Sequence, residues 1–313
     1  MSYRDELMTT YHVRKTKEQK TKFIDYAKGY AASLGYRASV EGKGNSVRNI
    51  VIGDVRRANV VYTAHYDTQP VMFLPNFITP KNIFIYILYQ IALVAILLVL
   101  PLGTALLLIE CVAGMADSSV PLLVFLVLYY IEFGLMMFGP ANKHTANDNT
   151  SGVATVFGVM ERLRGRDDVA FILFDCEERG LLGSKLFARM NKDMMADKLV
   201  VNFDCVSDGK HIMFVAKKKA KARLEDIKAA FTPTEEITCL YESKGVIYPS
   251  DQSSFAVGVG VAAFHRTKGG LYFASRIHTP RDTVFDTENL DYLADGAVRL
   301  ADHLLLKDTA VPV

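Results

Sequence analysis

The chain carries almost no net charge: 36 Lys and Arg stand against 34 Asp and Glu over 313 residues, leaving +2. That balance argues against a nucleic-acid binder held by bulk positive charge. Cysteine is scarce. Cys111, Cys176, Cys205 and Cys239 include no CxxC pair, which argues against a zinc ribbon or a thioredoxin-type site. They are too few for a disulfide scaffold, so reduced thiols in a reducing compartment are expected. The opening residues MSYRDELMTTYHVRKTKEQK hold no apolar segment with a small-residue cleavage site, so no secretory signal peptide is expected there. Tryptophan is absent, as are internal repeats and low-complexity linkers. Disorder is excluded, because half the residues are apolar and 22% are charged.

What is present alternates. Residues 14–35 place Phe23, Ile24, Tyr26, Ala27 and Tyr30 at helical spacing, with Gly35 as a C-cap. Strands are expected over 47–52 and 60–64, the second a buried apolar run that ends in polar residues. Beyond residue 150, helix patterns (GVATVFGVMERLRG, LLGSKLFARMNKD, residues 222–231, TENLDYLADGAVRLADHLLL) alternate with strands (DVAFILFDCEE, KLVVNFDCVSDG, 237–241, VAAFHRT), and SDQSSFAVGV opens a helix or turn. This alternation predicts an α/β fold with a mixed, mostly parallel central sheet sandwiched by helices.

One segment breaks the pattern. Ile83 to Ile109 contains no Asp, Glu, Lys or Arg, and Val120 to Gly139 contains only Glu132. Both runs are long enough to cross a bilayer, which takes about 20 apolar residues. The connector carries Glu110 and Asp117 but no Lys or Arg, whereas Lys81 and Lys143 flank the pair. The positive-inside rule then places the connector outside, with both termini and the folded domain cytoplasmic. The expected organisation is a discontinuous domain, 1–80 and 140–313, with a transmembrane helical hairpin inserted at 81–139. A greasy lid or a dimerisation arm is the alternative. Pro101 is expected to kink the first helix, and Glu132 needs a partner or a protein-facing position.

Acidic residues and histidines cluster where strands end: His65 and Asp67, Glu177 and Glu178, Asp204, with Asp148 before a helix and His278 in a loop. Open α/β sheets bind ligands at strand carboxyl ends. Singly these residues are ordinary: a hydrogen-bonded histidine, a turn-forming Asp, a solvent-facing Glu pair. Jointly they would bury several carboxylates, a cost that a cation offsets, so metal is expected.

The blocks HYD (65–67), ANDNTSGVA (146–154), DCEERGLLGS (175–184), NFDCVSDG (202–209) and HTPRDT (278–283) resemble, in order and approximate spacing, the M28 zinc aminopeptidases, which have a phosphorylase/hydrolase-like fold. The resemblance implies two metals. His65 and Asp204 hold one, Glu178 and His278 the other, and Asp148 bridges both. Glu177 is the general base, and Asp67 hydrogen-bonds His65 and fixes its tautomer. The Asp148–Asn149 peptide is expected to be cis. Zinc is implied, with manganese or cobalt compatible with a carboxylate-rich set. Tyr241, Tyr248 and Asp251 fall where the family places substrate-facing segments, although each tyrosine also reads as an ordinary loop residue. Gln252 replaces a frequent histidine beside Asp251, which bears on pocket shape and not on metal binding. The separation of 83 positions from His65 to Asp148 far exceeds the family's usual spacing.

The implied activity is aminopeptidase cleavage of peptides, including hydrophobic or membrane-associated ones, beside the bilayer that 83–139 enters. Two alternatives share the fold: a one-zinc glutaminyl cyclase, whose tryptophan-lined pocket this chain could not build, and a non-catalytic scaffold, which typically loses ligands that are all present here. The basic run KKKAKAR (217–223) reads as a solvated face or as a contact for anionic lipid. No aromatic interleaving supports nucleic acid. Oligomeric state is left open.

Overall fold

The computed structural model describes residues 1–72, 74, 76–111 and 119–310. Its strands are β1 (Ala38–Lys43), β2 (Val47–Gly53), β3 (Val60–His65), β4 (Val169–Phe174), β5 (Leu199–Phe203), β6 (His211–Ala216), β7 (Thr238–Glu242), β8 (Gly258–Arg266) and β9 (Tyr272–Phe273). The helices are α1 (Tyr3–Thr9), α2 (Lys17–Ser33), α3 (Ile83–Cys111), α4 (Val120–Phe138), α5 (Gly152–Arg162), α6 (Leu182–Met190), α7 (Leu224–Ala230) and α8 (Thr287–Ala310).

The strands form one sheet in the order β1-β2-β4-β3-β5-β8-β6-β7, with β9 beside β8. β4, β3, β5 and β8 run parallel. β1 pairs antiparallel with β2 and β2 with β4, and β6 is antiparallel to β8 but parallel to β7. The parallel centre has the expected composition: VVYTAH, VAFILF and LVVNF are buried throughout, as strands covered on both faces must be. The main apolar core includes Val153, Phe157 and Met160 of α5 and Leu293, Ala297 and Leu300 of α8, together with alternate residues of these strands. A second cluster on the other face gathers Val61, Ile172, Phe174 and Phe187.

Helix α2 starts at Lys17 and not at residue 14, because Thr16 accepts from the Gln19 amide and Gln19 reaches back to the Thr16 amide, a capping box. Gly35 follows its end at φ 88°. Among the described cysteines, Cys176, Cys205 and Cys239 are free thiols.

Helices α3 and α4 pack on each other, and both are long and apolar enough to cross a membrane. No residue of α4 is buried, and side chains such as Phe84, Leu107, Tyr130 and Phe138 are exposed, so this pair is not a core element of the sheet domain. α3 continues through Pro101. Glu132 is half-buried, and its Oε2 lacks a hydrogen-bond partner. Asp117 and the Glu110 side chain lie outside the described residues.

The basic run does not share a face with the helix pair. β6 is antiparallel to β8, so Ala216 pairs with Val259 near the start of that strand. Residues 217–223 therefore emerge where the parallel strands begin, whereas α3 and α4 leave from the end where they finish. Lys217 donates to the Ser253 carbonyl at 2.6 Å, and Arg223 lies 3.6 Å from Asp226.

Candidate metal centre

The parallel register aligns His65 at the end of β3 with Phe174 at the end of β4. β5, on the other side of β3, ends at Phe203, and Asp204 follows. Three neighbouring strands thus deliver His65, Glu177 and Glu178, and Asp204 to one edge. The turns that aim them are unusual. Cys176 and Cys205, which flank Glu177 and Asp204, and His278 itself have φ of 57°, 57° and 63°. A non-glycine residue pays about 1–2 kcal/mol there, and such outliers gather where surrounding structure fixes a functional geometry. Two glycines let helices approach these turns closely. A Cβ on Gly152 would stand 2.3 Å from the Phe203 carbonyl oxygen, and one on Gly183 would stand 2.1 Å from that of Asp175.

Asp148 lies at the centre. Its Oδ1 is 3.2 Å from His65 Nε2, and its Oδ2 is 2.8 Å from His278 Nε2. Asp204 Oδ1 lies 3.5 Å from the same His65 nitrogen. Glu178 Oε2 lies 3.5 Å from that of His278. The site therefore has two halves, His65 with Asp204 and His278 with Glu178, each facing a different oxygen of one carboxylate. Ligand atoms of His65, Asp148 and Asp204 approach within 4.8 Å of one another, as do those of Asp148, Glu178 and His278. The Asp148–Asn149 peptide is cis, as expected.

The electrostatics fit cations. Asp148, Glu177, Glu178 and Asp204 converge on two imidazoles. Burial pushes the Glu177 and Glu178 carboxyls well above the usual carboxylate range, and the neighbouring acids add to the rise. Burial opposes a charge on His65, yet Glu177, Asp148, Asp204 and Asp67 together hold its pKa well up. Glu178 Oε1 and His278 Nδ1 are buried without a hydrogen-bond partner. An imidazole and carboxylate donor set of this kind suits zinc, manganese or cobalt.

Asp67 departs from expectation. Its carboxylate is 3.7 Å from His65 Nδ1, beyond hydrogen-bonding reach, and Nδ1 instead faces the Asp67 carbonyl at 3.2 Å. The carboxylate accepts from the Glu177 amide at 3.0 Å and the Glu178 amide at 3.4 Å, tying the turn after β4 to the end of β3. Tyr248 lines the site cavity of about 140 Å³ with Asn76, Ile78, Cys205, Pro249 and Ile277. Its hydroxyl donates to the Asp204 carbonyl at 2.8 Å and so is committed away from substrate. Gln252 donates to the Tyr248 carbonyl at 2.8 Å, a pocket-shaping role. Tyr241 is not brought to the site: it stacks on Phe214 and donates to the Phe231 carbonyl. Asp251 is fully buried and does not line the cavity, so it is not placed to touch substrate. Burial pushes its carboxyl up to about 7.

Three supporting residues escaped the sequence reading. Arg14 is fully buried. It donates to the Tyr66 carbonyl at 2.5 Å, to Thr150 Oγ1 at 3.1 Å and to the Tyr11 carbonyl. Burial lowers its pKa to about 10, against the pull of Asp67 and Asp148. Asp282 accepts the amides of Asn147 and Asp148 at 2.7 and 2.9 Å; it lies in HTPRDT, which was its only signal. Gln69 donates to Glu178 Oε2, and nothing in the local sequence marks it.

A search of curated proteins finds no match. Among solved structures, the chain is similar to a Zn-dependent exopeptidase from Parabacteroides distasonis (15% identity, 96% of this chain and 95% of that one, TM-score 0.59). It is also similar to glutaminyl cyclase from Porphyromonas gingivalis (15%, 95% and 95%, TM-score 0.57) and to the LapA aminopeptidase of Legionella pneumophila (14%, 95% and 69%, TM-score 0.56). At these identities the likeness is one of fold. The family model described as Peptidase family M28 matches residues 132–301, more than half of the chain and four of the five motif blocks, and on that match the chain belongs to peptidase family M28.

Proposed function

We propose that this chain is a membrane-anchored, di-zinc aminopeptidase. The observation that carries the reading is Asp148, whose two oxygens face histidines of two separate ligand pairs. His65 and Asp204 would hold one ion, His278 and Glu178 the other, with Asp148 shared. Metal held by these residues would supply Lewis-acid polarisation of a scissile carbonyl and a lowered pKa for the attacking water. Glu177, at the cavity wall, takes a proton from the attacking water and returns it to the leaving amine. Asp67 holds the Glu177 amide and so fixes where that carboxylate starts. Ile78, Ile277, Pro249 and the Tyr248 ring give the cavity an apolar wall suited to an apolar N-terminal residue.

The membrane part of the reading rests on the exposed apolar surfaces of α3 and α4. The 19 residues of α4 extend about 28 Å, close to the roughly 30 Å of a hydrocarbon core. With 81–139 as the inserted unit and 1–80 plus 140–313 as the catalytic domain, the cavity opens near the bilayer. Peptides at the membrane surface would be favoured, and the domain and termini would lie on the cytoplasmic side. Alkaline carbonate should leave the full chain in the membrane pellet and release a variant lacking residues 83–139; release of the full chain would refute the anchor.

The activity is tested with detergent-solubilised, zinc-loaded full chain and aminoacyl reporter substrates. Leucyl or similar apolar reporters should be hydrolysed, a chelator should abolish the reaction, and zinc should restore it. Pyroglutamate formation from glutaminyl peptides without reporter hydrolysis would place the chain with the cyclases. Tight zinc binding with neither reaction would leave a scaffold.

A further inference from the structure

The segments that enter and leave the helix pair form a neck, and this neck touches one half of the metal centre. Pro70 bridges to Ala141. Val71 donates to the Pro140 carbonyl at 2.9 Å, and Asn142 donates to the Gln69 carbonyl at 3.0 Å, so the two strands of the neck are bonded to each other. From this neck, the Met72 amide donates to the carbonyl of His278 at 2.7 Å. The Asn142 side chain donates to the carbonyl of the next residue, Thr279, at 3.0 Å. The Gln69 amide donates to Glu178 Oε2. His278 and Glu178 are the two residues that share a half with Asp148 Oδ2. By contrast, the described side-chain hydrogen bonds of His65 and Asp204 run to no residue of 69–72 or 140–142.

We propose that Gln69 is a positioning residue for the Glu178/His278 half of the centre, and that through it the neck of the inserted helices sets the affinity of one of the two ions. The chemistry is that of a carboxylate ligand whose rotation must be fixed. Glu178 follows a turn at positive φ, and its Oε1 is buried with no partner. The Gln69 amide is the side-chain donor on this carboxylate. Held at Oε2, Glu178 is restricted to one rotamer and presents a defined face to an ion between itself, His278 and Asp148. Without the donor it would be free to turn within the cavity it lines. Losing such an outer partner typically weakens metal binding about 10–100-fold. The inference rests on the two-ion reading above.

The test is zinc titration of the full chain in detergent, wild type against Gln69→Met, which keeps the side-chain volume and removes the donor. Stoichiometry is read by elemental analysis after dialysis at fixed free zinc, and the two dissociation constants by chelator competition. Wild type should bind two equivalents. Gln69→Met should keep one at unchanged affinity and bind the second about 10–100-fold more weakly, with the metal-free melting temperature unaltered. If Gln69→Met fails to fold, Gln69→Leu serves, with the same expected loss confined to one ion. Equal affinities in variant and wild type, or equal weakening of both ions, would overturn the role of Gln69. A wild-type stoichiometry below two would instead overturn the two-ion reading itself.

Discussion

Glu177→Gln is expected to lower kcat by about 10²–10⁴-fold, the usual worth of a positioned general base, while leaving zinc stoichiometry unchanged. The substitution keeps shape and removes only the ability to accept a proton. The surroundings explain why this residue suits the task. Its amide is anchored on Asp67 at 3.0 Å, and its side chain lines the cavity with Asp148, Asp204 and His278. In the metal-free protein, burial first and then Asp204, Asp251 and Asp148 push its carboxyl well up, against the pull of His65. Cations reverse that sign by favouring the ionised form. Zinc binding should therefore release protons and strengthen as pH rises. A rate loss of less than tenfold in Glu177→Gln, with both ions bound, would remove Glu177 from the reaction.

Asp148→Asn should abolish paired metal binding and reduce hydrolysis to background. The Asp148 carboxylate faces both histidines, at 3.2 Å from His65 and 2.8 Å from His278, so losing its charge is expected to weaken binding on both sides of the centre. The effect should exceed the about 10–100-fold change of an outer partner. Calorimetry separates binding from folding. In wild type, zinc at 100 times its dissociation constant should add about 2.7 kcal/mol of stability for each ion bound. The variant should lose that increment. Its metal-free transition is recorded separately, because the asparagine fills the space and its backbone amide still meets Asp282 while the pairing of the carboxylate with His65 and His278 is lost. Two tightly bound ions in Asp148→Asn would contradict the shared-ligand geometry.

The central sheet and the convergence of the site were legible because they rest on local pattern. Runs such as VAFILF and LVVNF are too apolar to be anything but buried strands, and the acids stand directly at their ends. Edge elements were less legible. β1 is ASVEGK, half-exposed and without alternation, and α1 is seven residues whose stability comes from a Ser2–Asp5 capping box and packing. β6, HIMFVA, is apolar but hidden between a turn and the basic run. Supporting contacts were illegible for a different reason. Arg14 reads as a polar helix residue until tertiary structure wraps it with carbonyls from Tyr11, in the segment after α1, and Tyr66, just past the end of β3. The role of Asp67 went astray by a small distance: the carboxylate sits 3.7 Å from His65, and its lone pairs meet backbone amides instead. Sequence gives the residue but not which neighbour it satisfies.

The account stands most directly on anomalous diffraction from the zinc-soaked full chain, recorded on both sides of the zinc edge. It predicts two peaks roughly 3.5–4 Å apart, one between His65 and Asp204 and one between Glu178 and His278, with an oxygen of Asp148 on each. A single peak, or peaks away from Asp148, would contradict it.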